Sequence, residues 1–202
     1  LKVRRDVRIV LASNSPRRRA LLTELLGWDV LFLSPDVEED VEVFPSPAEA
    51  VKRLAIKKAS SAAPLYPDLY VIGADTVVCI DGQVLGKPSS LDEAYGMLLK
   101  LNGRTHEVYT GLAVMKEGIL LTDHEVTRVT FRNMSRKALW AYAETREGMD
   151  KAGAYGVQGA GSLLIERIEG CFFNVVGLPL AKLSQLLERM GWPLEDQWRC
   201  VE

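Results

Sequence analysis

Two dipeptides, Asp81-Gly82 and Glu117-Gly118, stand between β-rich runs in a chain whose other β-rich runs alternate with helical patterns. A tight hairpin makes its strands antiparallel, whereas a strand–helix–strand passage returns the chain parallel, so a sheet built from both is mixed. Val7–Ala12, Asp29–Leu33, Tyr70–Ala74 and Ser162–Ile168 read as single strands. Thr76–Ile80 pairs with Gln83–Leu85 across Asp81-Gly82, and 105–116 with 119–131 across Glu117-Gly118. Between them the spacing predicts a helix capped by Ser15-Pro16 and ended at Gly27, then helices over Ser46–Ala62, Ser90–Leu101, Ser135–Glu144 and Leu180–Met190. The expected fold class is α/β, a mixed twisted sheet with flanking helices, in a single domain over 1–202 that is large enough to form two lobes.

Composition removes several function classes. With 25 basic against 27 acidic residues the formal net charge is −2, too balanced for a protein that neutralises a nucleic-acid polymer. The longest uncharged stretch, Ala152 to Ile165, covers 14 residues and contains four of the glycines, too short and too flexible to cross a membrane. Only the short apolar run Ile9–Ala12 follows Lys2, Arg4, Arg5 and Arg8, so a secretory signal is not expected. Three cysteines without a CxxC pair fit a reducing, cytoplasmic setting.

Several segments have the residue types that phosphate chemistry needs. Ser13-Asn14-Ser15-Pro16-Arg17-Arg18 places hydroxyls and guanidiniums where a helix begins. A capped helix with solvated arginines is the alternative, but arginine opposes the dipole in a first turn, which favours an anion site. Asp75 ends the run Tyr-Val-Ile-Gly-Ala, at the strand end where α/β sheets place ligands. There it can hold Mg²⁺ or orient a water, or simply satisfy turn amides with Thr76. The acidic loop with Glu38 and Glu39 reads first as a solvated surface. Gly82 to Pro88 is not a Walker motif, because Pro88 stands where Ser or Thr should meet Mg²⁺. Lys87 and Lys58 are each either a phosphate-binding charge or an ordinary surface lysine.

Asp150 to Gly161 (DKAGAYGVQGAG) lets a backbone approach a ligand, although a glycine-rich turn closing a sheet would look alike. It fails the GxGxxG pattern of dinucleotide binders. The two histidines, His106 and His124, read as surface or core residues, and no GxSxG or Cys-His arrangement suggests a nucleophilic triad.

In combination and in order, LASNSPRR (11–18), VEE (37–39), LAIKKA (54–59), VIGADTVV (71–78), LGKP (85–88), LNGRTHEVYTGLAV (101–114), DKAGAYGVQG (150–159) and FNVVGLPL (173–180) closely resemble the Maf family of nucleoside triphosphate pyrophosphatases. The resemblance runs from about Val7 to Gly191 and leaves Trp192 to Glu202 outside it. It implies an elongated sheet around a deep cleft, as in inosine triphosphate pyrophosphatases. It implies hydrolysis of a nucleoside triphosphate to the monophosphate and pyrophosphate with a divalent cation, Mg²⁺ or Mn²⁺, clearing surplus or non-canonical nucleotides. By motif, Ser13, Ser15, Arg17 and Arg18 would form one wall of the phosphate site, Glu39 and Asp75 would hold the metal, and Asp75 would activate water. Lys58 and Lys87 would neutralise the triphosphate, and Thr76, Lys151 and Gln158 would line the base and sugar.

Asp75-Thr76 and the DKAGAYG sequence favour the subgroup resembling dTTP/UTP pyrophosphatases over the 7-methyl-GTP group. Asn14 and Cys171 depart from the family's common residues without touching a ligand group. The rivals are the same chemistry on methylated GTP or inosine triphosphate, and a nucleotide-binding regulator of septum formation. The family resemblance also implies a homodimer.

Overall fold

The computed structural model describes residues 8–35, 37 and 45–200. In chain order these form β1 (Ile9–Ala12), α1 (Pro16–Ala20, continued by a wider π turn over Leu21–Leu25), β2 (Val30–Leu33), α2 (Pro47–Ala62), β3 (Tyr70–Ile80), β4 (Gln83–Leu85), α3 (Leu91–Leu101), β5 (Thr105–Lys116), β6 (Ile119–Phe131), α4 (Arg136–Glu144), β7 (Ile165–Glu169), α5 (Phe172–Val176), α6 (Leu180–Arg189) and α7 (Leu194–Arg199). The strands make one seven-stranded mixed sheet in the order β2-β1-β3-β5-β6-β7, with β4 on β3. β1 is parallel to β2 and β3, whereas β4 runs antiparallel to β3 and β7 to β6. Both hairpin dipeptides take positive φ, at Asp81 (51°), Gly82 (75°), Glu117 (51°) and Gly118 (78°), as turns that match strand twist require.

Local signals explain the helices. Ser15, Ser46, Ser90 and Ser135 are N-caps whose side chains accept from the amides of Arg18, Glu49, Glu93 and Ala138. Pro16 and Pro47 sit in the first helical turn, where a missing N–H costs nothing.

Among the departures from expectation, three concern β3, β7 and the segment after Gly191. Tyr70–Ala74 and Thr76–Ile80 are one 11-residue strand, so Asp75 lies inside β3 rather than at its end. The strand changes partners there: β1 pairs with it only as far as Ala12↔Gly73, and β4 pairs with it at Val78–Ile80. Asp75 is still two residues beyond the end of the parallel ladder. Ser162–Ile168 is not a single strand either, since a 3₁₀ segment covers Gly159–Leu164 and β7 starts only at Ile165. The Ser162 hydroxyl donates back to the Gly159 carbonyl oxygen and the Ile165 amide to the Ser162 carbonyl oxygen, so these groups close 3₁₀ turns instead of joining a ladder. Finally, the segment after Gly191 forms α7, which no apolar periodicity announced.

The chain folds as two compact units. The first comprises Leu1–Asp75, Thr110–His124 and Gly177–Glu202, the second Thr76–Tyr109 and Glu125–Val176. In the first, Ala55, Ala59 and Ala62 of α2 pack on Val10, Ala12, Val71 and Ala113. Gly73 and Gly111 make that packing possible, because a Cβ on Gly73 would lie 2.1 Å from the Ala55 carbonyl oxygen and one on Gly111 2.3 Å from Val51 backbone. At the far end of this unit Trp192 stacks on Tyr70 at 5.4 Å and meets Trp28 at 5.2 Å. In the second unit α3 and α4 cover a core of Val78, Leu98, Leu101, Val129, Phe131 and Leu139 with their neighbours.

Candidate active site

Two periodicities bring Lys58 and Asp75 together in the first unit. Alternation puts Gly73 and Asp75 on the same face of β3, and helical spacing puts Lys58 on the face of α2 that carries Ala55, Ala59 and Ala62. Since Gly73 lets α2 approach to backbone contact, Lys58 reaches Asp75: Nζ donates to Oδ1 over 2.6 Å. Lys58 is 8% and Asp75 9% exposed. Desolvating two charges consumes most of what their attraction returns, so such a pair does little for stability. A buried ion pair just past a parallel ladder is more telling as a sign of chemistry.

Ser13 follows β1 on the strand adjacent to β3. Its Oγ accepts from the Ser15 amide at 3.2 Å and from Arg18 Nη1 at 3.2 Å. Arg18 is itself 8% exposed and donates through Nε to the Gly177 carbonyl oxygen at 2.7 Å. The three consecutive arginines therefore separate in role. Arg18 turns inward, Arg19 lies 4.2 Å over the Phe32 ring, and Arg17 is half-buried. Ser15 uses its hydroxyl as the helix cap. Ser13, Ser15 and Arg18 are thus one hydrogen-bonded group. The role of the uncharged V-G-L-P segment was not legible, because what Arg18 uses there is a backbone carbonyl.

The second unit holds Thr76, Lys87, Lys151 and Gln158. The Gly153 amide donates to the Gly86 carbonyl oxygen at 3.1 Å, tying the loop of Lys151 to the loop of Lys87. A Cβ on Gly153 would be 3.0 Å from Val78, so the same loop lies flat against β3, on the residue two after Thr76. Lys87 and Gln158 are exposed, whereas Lys151 is half-buried and donates to Asp150 at 2.6 Å and to the Glu147 carbonyl oxygen.

Glu147 and Tyr142, which no motif pointed to, organise this loop. Glu147 Oε2 accepts from Ala160 N at 2.8 Å, while Oε1 accepts from Gly161 N at 2.9 Å and from the Tyr142 hydroxyl at 3.1 Å. The Tyr142 oxygen in turn accepts from Gly156 N at 3.2 Å. Burial works against the charged form of Glu147, but the amides of Gly161 and Ala160, with Tyr142 and Lys151, outweigh it and hold the carboxyl below its usual range. Burial pushes the Tyr142 hydroxyl well above its ordinary value, so it remains a donor.

Among the described residues no three His, Cys, Asp or Glu side chains converge on a point where an ion could sit. The described residues therefore do not build a cage of the zinc type. Asp75 offers hard carboxylate oxygen, which suits Mg²⁺ or Mn²⁺ bound through one or two carboxylates with water and phosphate completing the shell. Glu39, the other expected metal residue, lies outside the described residues.

A model of the Maf-like protein family matches residues 8–190. A dTTP/UTP pyrophosphatase of Symbiobacterium thermophilum is 47% identical over 92% of this chain and 95% of that protein. One from Dictyoglomus thermophilum is 48% identical over 92% and 97%. A solved nucleoside-triphosphatase, described as a dITP/XTP pyrophosphatase, from Mycobacterium abscessus is 17% identical over 90% of this chain and 94% of that one, with a TM-score of 0.44.

Proposed function

The chain belongs to the Maf-like protein family, and from that premise we propose that it hydrolyses dTTP and UTP to the monophosphate and pyrophosphate. The observation that carries this reading is the buried Lys58–Asp75 pair at 2.6 Å, next to the strand whose end bears Ser13 and the inward-turned Arg18. Relatives named for this activity, 47–48% identical over nine-tenths of the chain, support the pyrimidine substrates.

In the proposed reaction Asp75 takes a proton from water, which attacks the α-phosphorus in line with the departing pyrophosphate. Lys58 fixes the rotamer of Asp75 through their hydrogen bond, and its ammonium would offset the negative charge that gathers on the phosphates. Arg18, locked by Ser13 and Gly177, meets phosphate oxygens without first having to be ordered. Ser13, Ser15 and Arg17 complete the phosphate contacts, and Lys87 adds a cation. Thr76, Lys151 and Gln158 select base and sugar. Mg²⁺ or Mn²⁺, held by Asp75 and Glu39, would draw charge from the phosphates. Free Cys79, Cys171 and Cys200 support a cytoplasmic enzyme, and the family likeness supports a homodimer that clears surplus nucleotides.

The test is a nucleotide panel with Mg²⁺ or Mn²⁺, with pyrophosphate and phosphate measured separately. Pyrophosphate from dTTP and UTP is expected, together with a loss of at least about a thousandfold in kcat for Asp75→Asn at unchanged circular dichroism. Preferential release from methylated GTP, or near-normal turnover by Asp75→Asn, would refute the assignment.

A further inference from the structure

We propose that Glu147 is a positioning residue for nucleotide recognition, its carboxylate clamping the loop that presents Gln158 and so setting the affinity for substrate rather than the rate of the chemical step. The inference rests on Gln158 and Lys151 facing base and sugar, as proposed above.

The clamp grips the loop immediately after Gln158. Both carboxylate oxygens are engaged, Oε2 by Ala160 N and Oε1 by Gly161 N and the Tyr142 hydroxyl. Such charge-assisted bonds to backbone amides are among the stronger and more directional contacts a side chain makes. The surrounding glycines are required by the fit. A Cβ on Gly159, whose φ is +72°, would approach Oε2 to 2.8 Å, and one on Gly161 would fall 2.2 Å from the Gly156 carbonyl oxygen. A Cβ on Gly148 would lie 1.9 Å from the Ala154 carbonyl oxygen, so the turn that follows Glu147 is closed just as tightly. Through Tyr142 the network also reaches Gly156 on the other side of Gln158. Gln158 is thus an exposed side chain on a backbone held before and after it by one carboxylate network. Lys151 is secured separately, through the Glu147 backbone carbonyl, which a side-chain substitution leaves in place.

This arrangement separates recognition from chemistry. Removing the carboxylate frees two amides and lets Gln158 wander, while Lys58 and Asp75 keep their own hydrogen bond. Glu147→Ala is therefore expected to raise KM for dTTP about tenfold and to change kcat less than about threefold. The effect should not add to that of Gln158→Ala in a double-mutant cycle, because both act through one contact. Formate fits the space left by the deleted carboxylate and should lower the raised KM, whereas chloride at equal ionic strength should not. Glu147→Gln, which keeps the volume but turns an NH₂ toward an amide, covers the case in which the alanine variant does not fold. It should raise KM without rescue by formate.

Wild type, measured in parallel, separates the two claims. If wild type releases pyrophosphate from dTTP but a folded Glu147 variant keeps its KM, or loses kcat at constant KM, the role of Glu147 is overturned alone. If wild type releases pyrophosphate from no nucleotide, the functional reading falls and this inference with it.

Discussion

His106 shows how one buried side chain can tie stability to pH. It is 2% exposed, its Nε2 lies 2.8 Å from the Tyr155 hydroxyl, and its ring meets Phe131 and Tyr155 edge-on. Among the described residues its Nδ1 has no hydrogen-bond partner. A proton there would create a buried, unpaired charge, so burial pulls the imidazole down to about 4. The unfolded chain, with an ordinary histidine near 6.5, binds more protons than the native state between about pH 4 and 6.5. The contribution is complete above that window and is lost as the pH falls through it. Wild type should lose about 2 kcal/mol more than His106→Gln between pH 7 and pH 5. Urea unfolding at the two pH values measures this difference, and parallel losses in the two proteins would contradict it.

At the scale of elements, the seat of α2 on the sheet decides whether Lys58 meets Asp75. Gly73 leaves no room for a methyl group, since both the Ala55 oxygen and the Ala59 nitrogen, at 2.7 Å, are backbone atoms of the helix. Gly73→Ala must displace α2, which should cost about 3 kcal/mol or more and lower kcat even where the fold survives. Thermal melting and turnover of that variant test both consequences, and a stable, fully active protein would show that the helix has slack. Beyond the matched family segment, α7 does comparable work. Its Gln197 is buried, accepts from Trp28 Nε1 at 3.2 Å and donates to the Trp192 carbonyl oxygen at 2.8 Å. Trp192→Ala should then destabilise the chain by about 3–5 kcal/mol. A loss below about 1 kcal/mol in chemical denaturation would make the aromatic stack incidental.

Over the whole molecule, a net charge of −2 gives no sequence-independent hold on a polyanion. No helix of the described residues is long and apolar enough to cross a membrane. Random DNA duplex at physiological salt should therefore not shift on a native gel with about 10 µM protein. A discrete shifted band would reopen the question of a polymer ligand. The mixed sheet, the serine caps, both hairpins and the motif set were legible in the sequence because each is written in a few neighbouring residues. Propensity, capping and turn chemistry act within one or two turns of chain, and those forces determined the elements. What only the tertiary structure decided were contacts between segments distant in sequence. Arg18 against the Gly177 carbonyl, α2 pressed onto Gly73, and Glu147 holding the amides after Gln158 all depend on backbone atoms or on missing side chains. A carbonyl, an amide or an absent Cβ is the same in every sequence, so its partner is known only once the chain has packed.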